Sequence, residues 1–505
     1  MPEHPEVLEK LIASSRETML LMSTEELLNW DQRTMMPAGA AEYRAEQITL
    51  LSGMIHQRLT DPQRGEWLEQ LAEDSSIRPE SDAGVIVSRL TRQYNKEKKV
   101  PRDLVEELSR TRVLAHESWV LAREKNDFSL FSGHLKTIVR LLREKTEAIG
   151  FEDSAYDVLL DDYEPDARTR EIENVFTSLR EALVPLIEKV VGSSRQPDHQ
   201  ITSRRFDVDA QRKVGMEAAR LIGFDFNAGR LDVTHHPFCC TLGPNDCRLT
   251  TRYSENHFNS AFFGTMHEAG HGLYEQGLRK DQFGLPTGEY CSLGIHESQS
   301  RLWENMVGRS LAFWEFYFPR IQSVFPSALQ DVSVESFFGA VNLVQPSLIR
   351  VEADEATYSL HIIIRFELEQ EIFSGQFEVE DLPEAWREKY RKYLGVFSEG
   401  DDNGVLQDVH WSEALFGYFP TYALGNLYAA QLFQAADASL GGLDSLIREG
   451  EFGPLLEWLR RHVHRQGKSS TAAEIVENST GNPLSCEPMI DYLESKYSLV
   501  YGFSV

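Results

Sequence analysis

His267-Glu268-Ala269-Gly270-His271 places two imidazoles four residues apart, with a carboxylate directly after the first. On a helix such residues lie about 40° apart around the axis, so both rings project from one face and can grip one ion. The stretch Phe258 to Leu278 holds no proline and reads as that helix. An ion held there with an open position would activate a water. Glu268, on the same side, would take a proton from that water as it attacks a carbonyl. The pentapeptide alone suggests metal-assisted hydrolysis; the plainer alternative is a polar helix face that binds nothing.

A catalytic site with two histidines needs a third protein ligand, and a Glu on the following helix can supply it. His296-Glu297-Ser298-Gln299-Ser300-Arg301-Leu302-Trp303-Glu304-Asn305 has that form: a polar start, then apolar Leu302 and Met306 on the inner face. Glu297 leads, 26 residues beyond His271; Glu304, about two turns on, competes. Gly277, Gly284, Leu285-Pro286 and Gly288 between the two segments let the helices fold back on each other.

The elements that must hold this site are mostly helical. Pro101-Arg102-Asp103 opens an amphipathic helix, and Leu135 to Ile149 and Ile172 to Val191 repeat the pattern. From Leu231 to Tyr253, short apolar runs flank the turn Gly243-Pro244-Asn245-Asp246, which predicts a small antiparallel β element just before the metal helix. Helices resume over Val307 to Phe318, Glu355 to Phe373, Leu382 to Leu394, Tyr422 to Ala436 and Leu455 to His464. The polar segments Gly192 to Gln200 and Glu399 to Gly404 read as loops. The fold class is therefore mainly α. With no low-complexity linker and no repeat, residues 1–505 read as one body, with a helical lobe over 1–225 and a catalytic part over 226–505.

A formal charge of −28 argues against nucleic acid, and no apolar run is long enough to span a bilayer. The N-terminus lacks the basic start and apolar stretch of a signal peptide, so a cytoplasmic chain is expected. Five cysteines, Cys239, Cys240, Cys247, Cys291 and Cys486, form no Cys-x-x-Cys pair and suit reduced thiols.

Six segments resemble, in order, the signatures of the M32 metallocarboxypeptidases. They are His236-Pro237-Phe238, Asp246-Cys-Arg248-Leu-Thr250, the metal pentapeptide, His296-Glu297-Ser298-Gln299, Ile349-Arg350-Val-Glu-Ala353-Asp354 and Gly404-Val-Leu-Gln407-Asp408-Val-His410-Trp411. Leu27-Leu28-Asn29-Trp30-Asp31 resembles the family's opening. The resemblance implies a helical zincin-like peptidase with a deep groove partly covered by N-terminal helices. It also implies release of single residues from peptide C-termini, and a cytoplasmic homodimer. It carries the metal ligands onto His267, His271 and Glu297 and the general acid/base onto Glu268, the residues also reached from spacing. Zn²⁺ is the expected ion, and Co²⁺ can take the same ligands.

A carboxypeptidase must recognise a terminal carboxylate, and an arginine's planar fork suits that task. Arg350 is the choice here; an ion pair with Glu352 or Asp354 is its structural alternative. Arg248 is the runner-up for that anchor, although two residues from Asp246 on one strand face it looks more like a scaffold ion pair. His410, Tyr418 and Tyr422 are candidates for stabilising the oxyanion, against packing roles, with His410 on Trp411. His236 is balanced between substrate contact and loop support. An endo-acting oligopeptidase would need no carboxylate anchor, and a helical scaffold with a vestigial site would need no Glu268.

Overall fold

The computed structural model describes residues 6–504. Its first four long helices, Glu6–Thr34, Ala41–Leu59, Pro62–Ala72 and Asp82–Lys99, build an N-terminal pack with a core of its own. Leu8, Leu11, Leu68, Leu71, Ile86, Val87 and Leu90 meet there, joined by Leu285 from far along the chain. The main core begins at Ala115 and runs to Tyr501. Apolar residues spaced by three and four make each helix bury one stripe. In Ser129–Ile149 that stripe is Phe131, Leu135, Ile138, Val139 and Leu142.

Most expected helices stand where the apolar spacing puts them. Pro101 caps the helix Arg102–Lys125, and Thr169–Val191, Glu355–Ser374, Leu382–Leu394, Pro420–Leu440 and Gly453–His462 match the sequence expectation to within a few residues. The expected helix from Val307 to Phe318 is displaced. Residues Leu302–Val307 form a π turn continuing Leu293–Arg301, and the next helix starts only at Leu311, with Ser310 as its cap. Serine at that position offers the orphan amide of Phe313 an acceptor at 3.1 Å, which fixes the start. No described helix is long and apolar enough to cross a membrane.

The small sheet is mixed rather than purely antiparallel. Strands β1 (Gly229–Val233), β2 (Cys239–Gly243) and β3 (Asp246–Thr251) lie in the order β1-β3-β2. The tight Pro244-Asn245 turn, with Asn245 at φ 70°, makes β2 antiparallel to β3. The longer loop through His236-Pro237-Phe238 carries the chain across, so that β1 pairs parallel with β3. Leu249 of β3 packs against Gly272, where a Cβ would stand 3.0 Å from its Cδ2, so the sheet lies directly on the metal helix.

Candidate metal centre

Phe258–Gly277 presents His267 and His271 on one face, their rings 4.9 Å apart. The facing helix, Leu293–Arg301, brings Glu297 to them: its Oε2 lies 3.6 Å from His267 Nε2 and 3.4 Å from His271 Nε2. Two glycines allow this approach. A Cβ on Gly270 would stand 2.5 Å from the Gln299 carbonyl oxygen, and one on Gly425 would stand 2.5 Å from Glu297 Cγ. The helices thus close on Glu297 from two sides, with no room for even a methyl group.

The three donor atoms lie within 4.8 Å of one another, and two imidazoles with one carboxylate match a catalytic divalent-metal set that keeps a position open. Glu268 supplies the independent sign of fit. Its carboxylate is buried, and Oε2 has no hydrogen-bond partner. Burial pushes its pKa up to about 7, with His267 opposing the rise. An uncompensated buried carboxylate is costly unless something in the working site uses it.

The three donor side chains are themselves held. His267 Nδ1–H donates to Glu304 Oε2 at 2.9 Å, which leaves Nε2 facing Glu297. Glu304, weighed in the sequence as a rival ligand, orients His267 from behind. Burial would raise its pKa, but the hydrogen bond from His267 and the charge of Arg301 hold it at about 2. Arg309 Nη2 donates to its other oxygen at 3.2 Å. Arg301 Nε donates to Glu297 Oε1 at 2.7 Å, and Ser300 Oγ donates to Oε2 at 3.0 Å. His271 is held by a relay: its Nδ1–H donates to His296 Nδ1 at 2.6 Å, and His296 Nε2–H donates to Glu275 Oε1 at 2.8 Å. Burial and the neighbouring histidines pull the His271 pKa down to about 3, so the ring is neutral and fit to be a ligand.

A groove of about 840 Å³ opens over these groups. His267, Glu268, His271 and Glu297 line it, together with Pro237 and Phe238, the tyrosines Tyr418 and Tyr422, and side chains of the first helix from Ser15 to Glu26.

The other expected residues divide. Tyr418 and Tyr422 reach the groove, and Tyr422 Oη stands 3.5 Å from His410 Nε2. His410 itself lies behind them, packed on Phe419 at 4.4 Å rather than on Trp411, whose Nε1 donates to Glu369. Burial pulls the His410 pKa down to about 3. His236 is exposed on the loop between β1 and β2, beside the groove-lining Pro237. Arg248 pairs with Asp246 through two bonds of 2.9 Å and stacks over Trp30, the scaffold role read for it.

Arg350 is buried behind Tyr422, its guanidinium 5.2 Å from that ring. Its carboxylate partner is Asp408, at 2.8 Å from Nη2, rather than Glu352 or Asp354. Asp354 instead caps the next helix through the amides of Ala356 and Thr357. Arg365 also binds Asp408, at 2.6 Å, so two guanidinium groups share one carboxylate. Sequence reasoning missed Arg301, Arg365 and the relay through His296. The 297, 301, 304 spacing, an i, i+4, i+7 stripe of alternating charge, was the available signal for Arg301.

A family model described as "Carboxypeptidase Taq (M32) metallopeptidase" matches residues 10–497. Thermostable carboxypeptidase 1 of Thermus thermophilus is 48% identical over 504 residues, covering 98% of this chain and 99% of its own. Carboxypeptidase 1 of Bacillus subtilis is 41% identical over 475 residues, covering 94% and 95%. Among solved structures, the M32 carboxypeptidase of Deinococcus radiodurans superposes with a TM-score of 0.96 at 39% identity, covering 99% of this chain and all of that one.

Proposed function

The chain belongs to the M32 metallocarboxypeptidases, and from that premise we propose that it uses zinc to release single amino acids from the C-termini of peptides. That it is a metal-dependent carboxypeptidase follows from the family; the ion, the single-residue step and the residue roles are the proposal. One observation carries it: a buried carboxylate, Glu268, has an unpaired oxygen beside a His267, His271 and Glu297 donor set. That set suits Zn²⁺, with Co²⁺ as a substitute. When bound, such an ion polarises the scissile carbonyl and makes water more acidic.

Glu268 accepts the proton from the attacking water and returns it to the leaving amine. A carboxyl group with a pKa of about 7 can do both near neutrality. Tyr418 or Tyr422, at the groove wall, donates to the developing oxyanion, with His410 behind Tyr422. His236 acts by holding the Pro237-Phe238 wall. Arg350, one layer behind Tyr422 in the groove wall, is the proposed anchor of the terminal carboxylate. Arg350 and Arg365 on the single Asp408 leave one net positive charge, and Arg350 keeps N–H groups beyond those given to Asp408 and Tyr358.

We place the enzyme in the cytoplasm as a homodimer. Five cysteines outside any disulfide support the reducing compartment. Exposed Val105, Val113, Leu114, Val120 and Leu121 along Arg102–Lys125 support a subunit interface.

The experiment is digestion of peptides with free and amidated C-termini, with and without a chelator. Release of single residues from free ends alone, abolished by chelation and restored by Zn²⁺, is the expected result. Efficient internal cutting of amidated peptides would replace this reading with an oligopeptidase. Arg350→Ala should cost about 2 to 4 kcal/mol in kcat/KM on free-ended peptides and much less on amides. Equal losses would assign Arg350 to the fold.

A further inference from the structure

Among the described residues lining the groove, Arg64 is a buried guanidinium with no carboxylate beside it. It is 4% exposed, and Nη1 donates to Ser15 Oγ at 3.3 Å. The other cations of the groove wall are engaged: Arg279 pairs with Asp82 at 2.6 Å, Lys468 with Glu289 at 2.5 Å, and exposed Lys280 donates to Asn245 at 2.6 Å. Carboxylates are plentiful in a chain with 79 Asp and Glu against 51 Lys and Arg, so a buried cation left without one is informative.

The surroundings make its charge more costly still. Burial draws the Arg64 pKa below its usual value, and neighbouring Arg58 adds to the effect. Arg64 sits in the first turn of Pro62–Ala72, whose N-cap Asp61 accepts from the Gln63 amide at 2.9 Å and makes no ion pair with the Arg64 guanidinium. It is also fixed in place. A Cβ on the next residue, Gly65, would stand 2.5 Å from the Tyr94 hydroxyl oxygen, so this helix is pressed onto Asp82–Lys99. Leu90 and Gln93 of that second helix line the same groove. An anion arriving here would meet a guanidinium fork held in place, and a carboxylate fits it.

We propose that Arg64 recognises a carboxylate of the peptide substrate, namely an acidic side chain upstream of the bond that is cut. The inference rests on the carboxypeptidase reading. It takes the upstream position because Arg64 belongs to the separate N-terminal pack. The groove residues that accompany the metal donors, Tyr418, Thr421 and Tyr422, come from the main body instead.

The test uses the metal-loaded full chain and peptides of one length and one C-terminal residue, with Glu or Gln placed at each upstream position in turn. At one position the wild type should prefer Glu about tenfold in kcat/KM, expressed in KM rather than kcat. Arg64→Met should bring that ratio to about one, and Arg64→Lys should keep part of it. Calorimetric binding of the same Glu and Gln peptides to Glu268→Gln protein, with and without Arg64→Met, reads the preference without turnover. A ratio near one at every position in the wild type, or an unchanged ratio in Arg64→Met, would overturn the proposal. So would an effect of Arg64→Met on the ratio of free to amidated ends instead, which would make Arg64 a terminal anchor. Failure of the carboxypeptidase reading has a different signature, since no peptide would then lose its C-terminal residue.

Discussion

At the scale of single residues, Glu268 differs from every other carboxylate around the metal position. Glu297 and Glu304 are tied to Arg301, whereas Glu268 keeps an oxygen without a partner. Removing its basicity therefore leaves the donor set intact. Glu268→Gln should bind one divalent ion per chain by elemental analysis while losing about 100-fold or more in turnover. Near wild-type turnover would exclude it as the base. Glu304 makes the opposite prediction. It touches no substrate, but it fixes the ring of His267, so Glu304→Ala should weaken metal affinity by about 10- to 100-fold in a chelator competition. An unchanged affinity would reduce Glu304 to a partner of Arg309. The two histidines and Glu268 were legible as candidates because an i, i+4 pair is a local pattern, whereas Glu297 stood 26 residues on with Glu304 as its rival. The partner of Arg350 was not legible: Asp408 lies 58 residues away, and only the fold brings it near.

At the scale of elements, the site depends on how closely three helices approach. Gly270 and Gly425 face Glu297 and its neighbours from the metal helix and from Pro420–Leu440, and each occupies a contact that a methyl group would fill. Gly425→Ala should push Glu297 away from the histidines, costing about 1 to 3 kcal/mol in stability and about tenfold or more in metal affinity. A thermal melt and a metal titration on one sample check both, and wild-type values would mean the helices can part freely. The π turn Leu302–Val307 belongs to the same device. Its Asn305 carbonyl accepts from Tyr492 Oη at 2.9 Å and from Lys496 Nζ at 3.4 Å, so the last helix, Glu487–Tyr501, braces the segment that carries Glu304. Apolar spacing located the helices, yet it could not reveal the π turn, because Leu302, Trp303, Met306 and Val307 are all buried in a pattern equally suited to a continuous α-helix. The mixed sheet was hidden for a related reason. A turn signal shows which strands are joined, while β1 reaches β3 through a pairing the local sequence does not encode.

At the scale of the whole molecule, buried carboxylates tie distant segments together and set how stability follows pH. Glu164 accepts from Ser292 Oγ at 3.0 Å, the Gly294 amide at 2.9 Å and Tyr428 Oη at 3.0 Å. Glu369 accepts from Tyr156 Oη at 2.5 Å, Trp411 Nε1 at 2.8 Å and the Gly417 amide at 2.9 Å. Burial outweighs these donors and raises both carboxyl groups to about 7 from 4.5. The folded chain therefore holds more protons than the unfolded chain between those values. Their contribution is complete below about pH 4.5 and is lost as pH rises through about 7, of order 1 to 3 kcal/mol for each group. Glu304 works in the opposite sense. Held at about 2, it contributes above pH 4.5 and loses that contribution as pH falls toward 2. Buried His410 and His464, held at about 3, add stability as pH rises to about 6.5 and oppose this trend there, so the thermal midpoint of the wild type should decline from about pH 6.5 to pH 8. Glu164→Gln and Glu369→Gln, each less stable overall because an amide cannot accept every donor, should each show a shallower decline over that window. A slope equal to wild type in both variants would mean that these carboxylates stay ionised inside the fold, with their three donors outweighing burial.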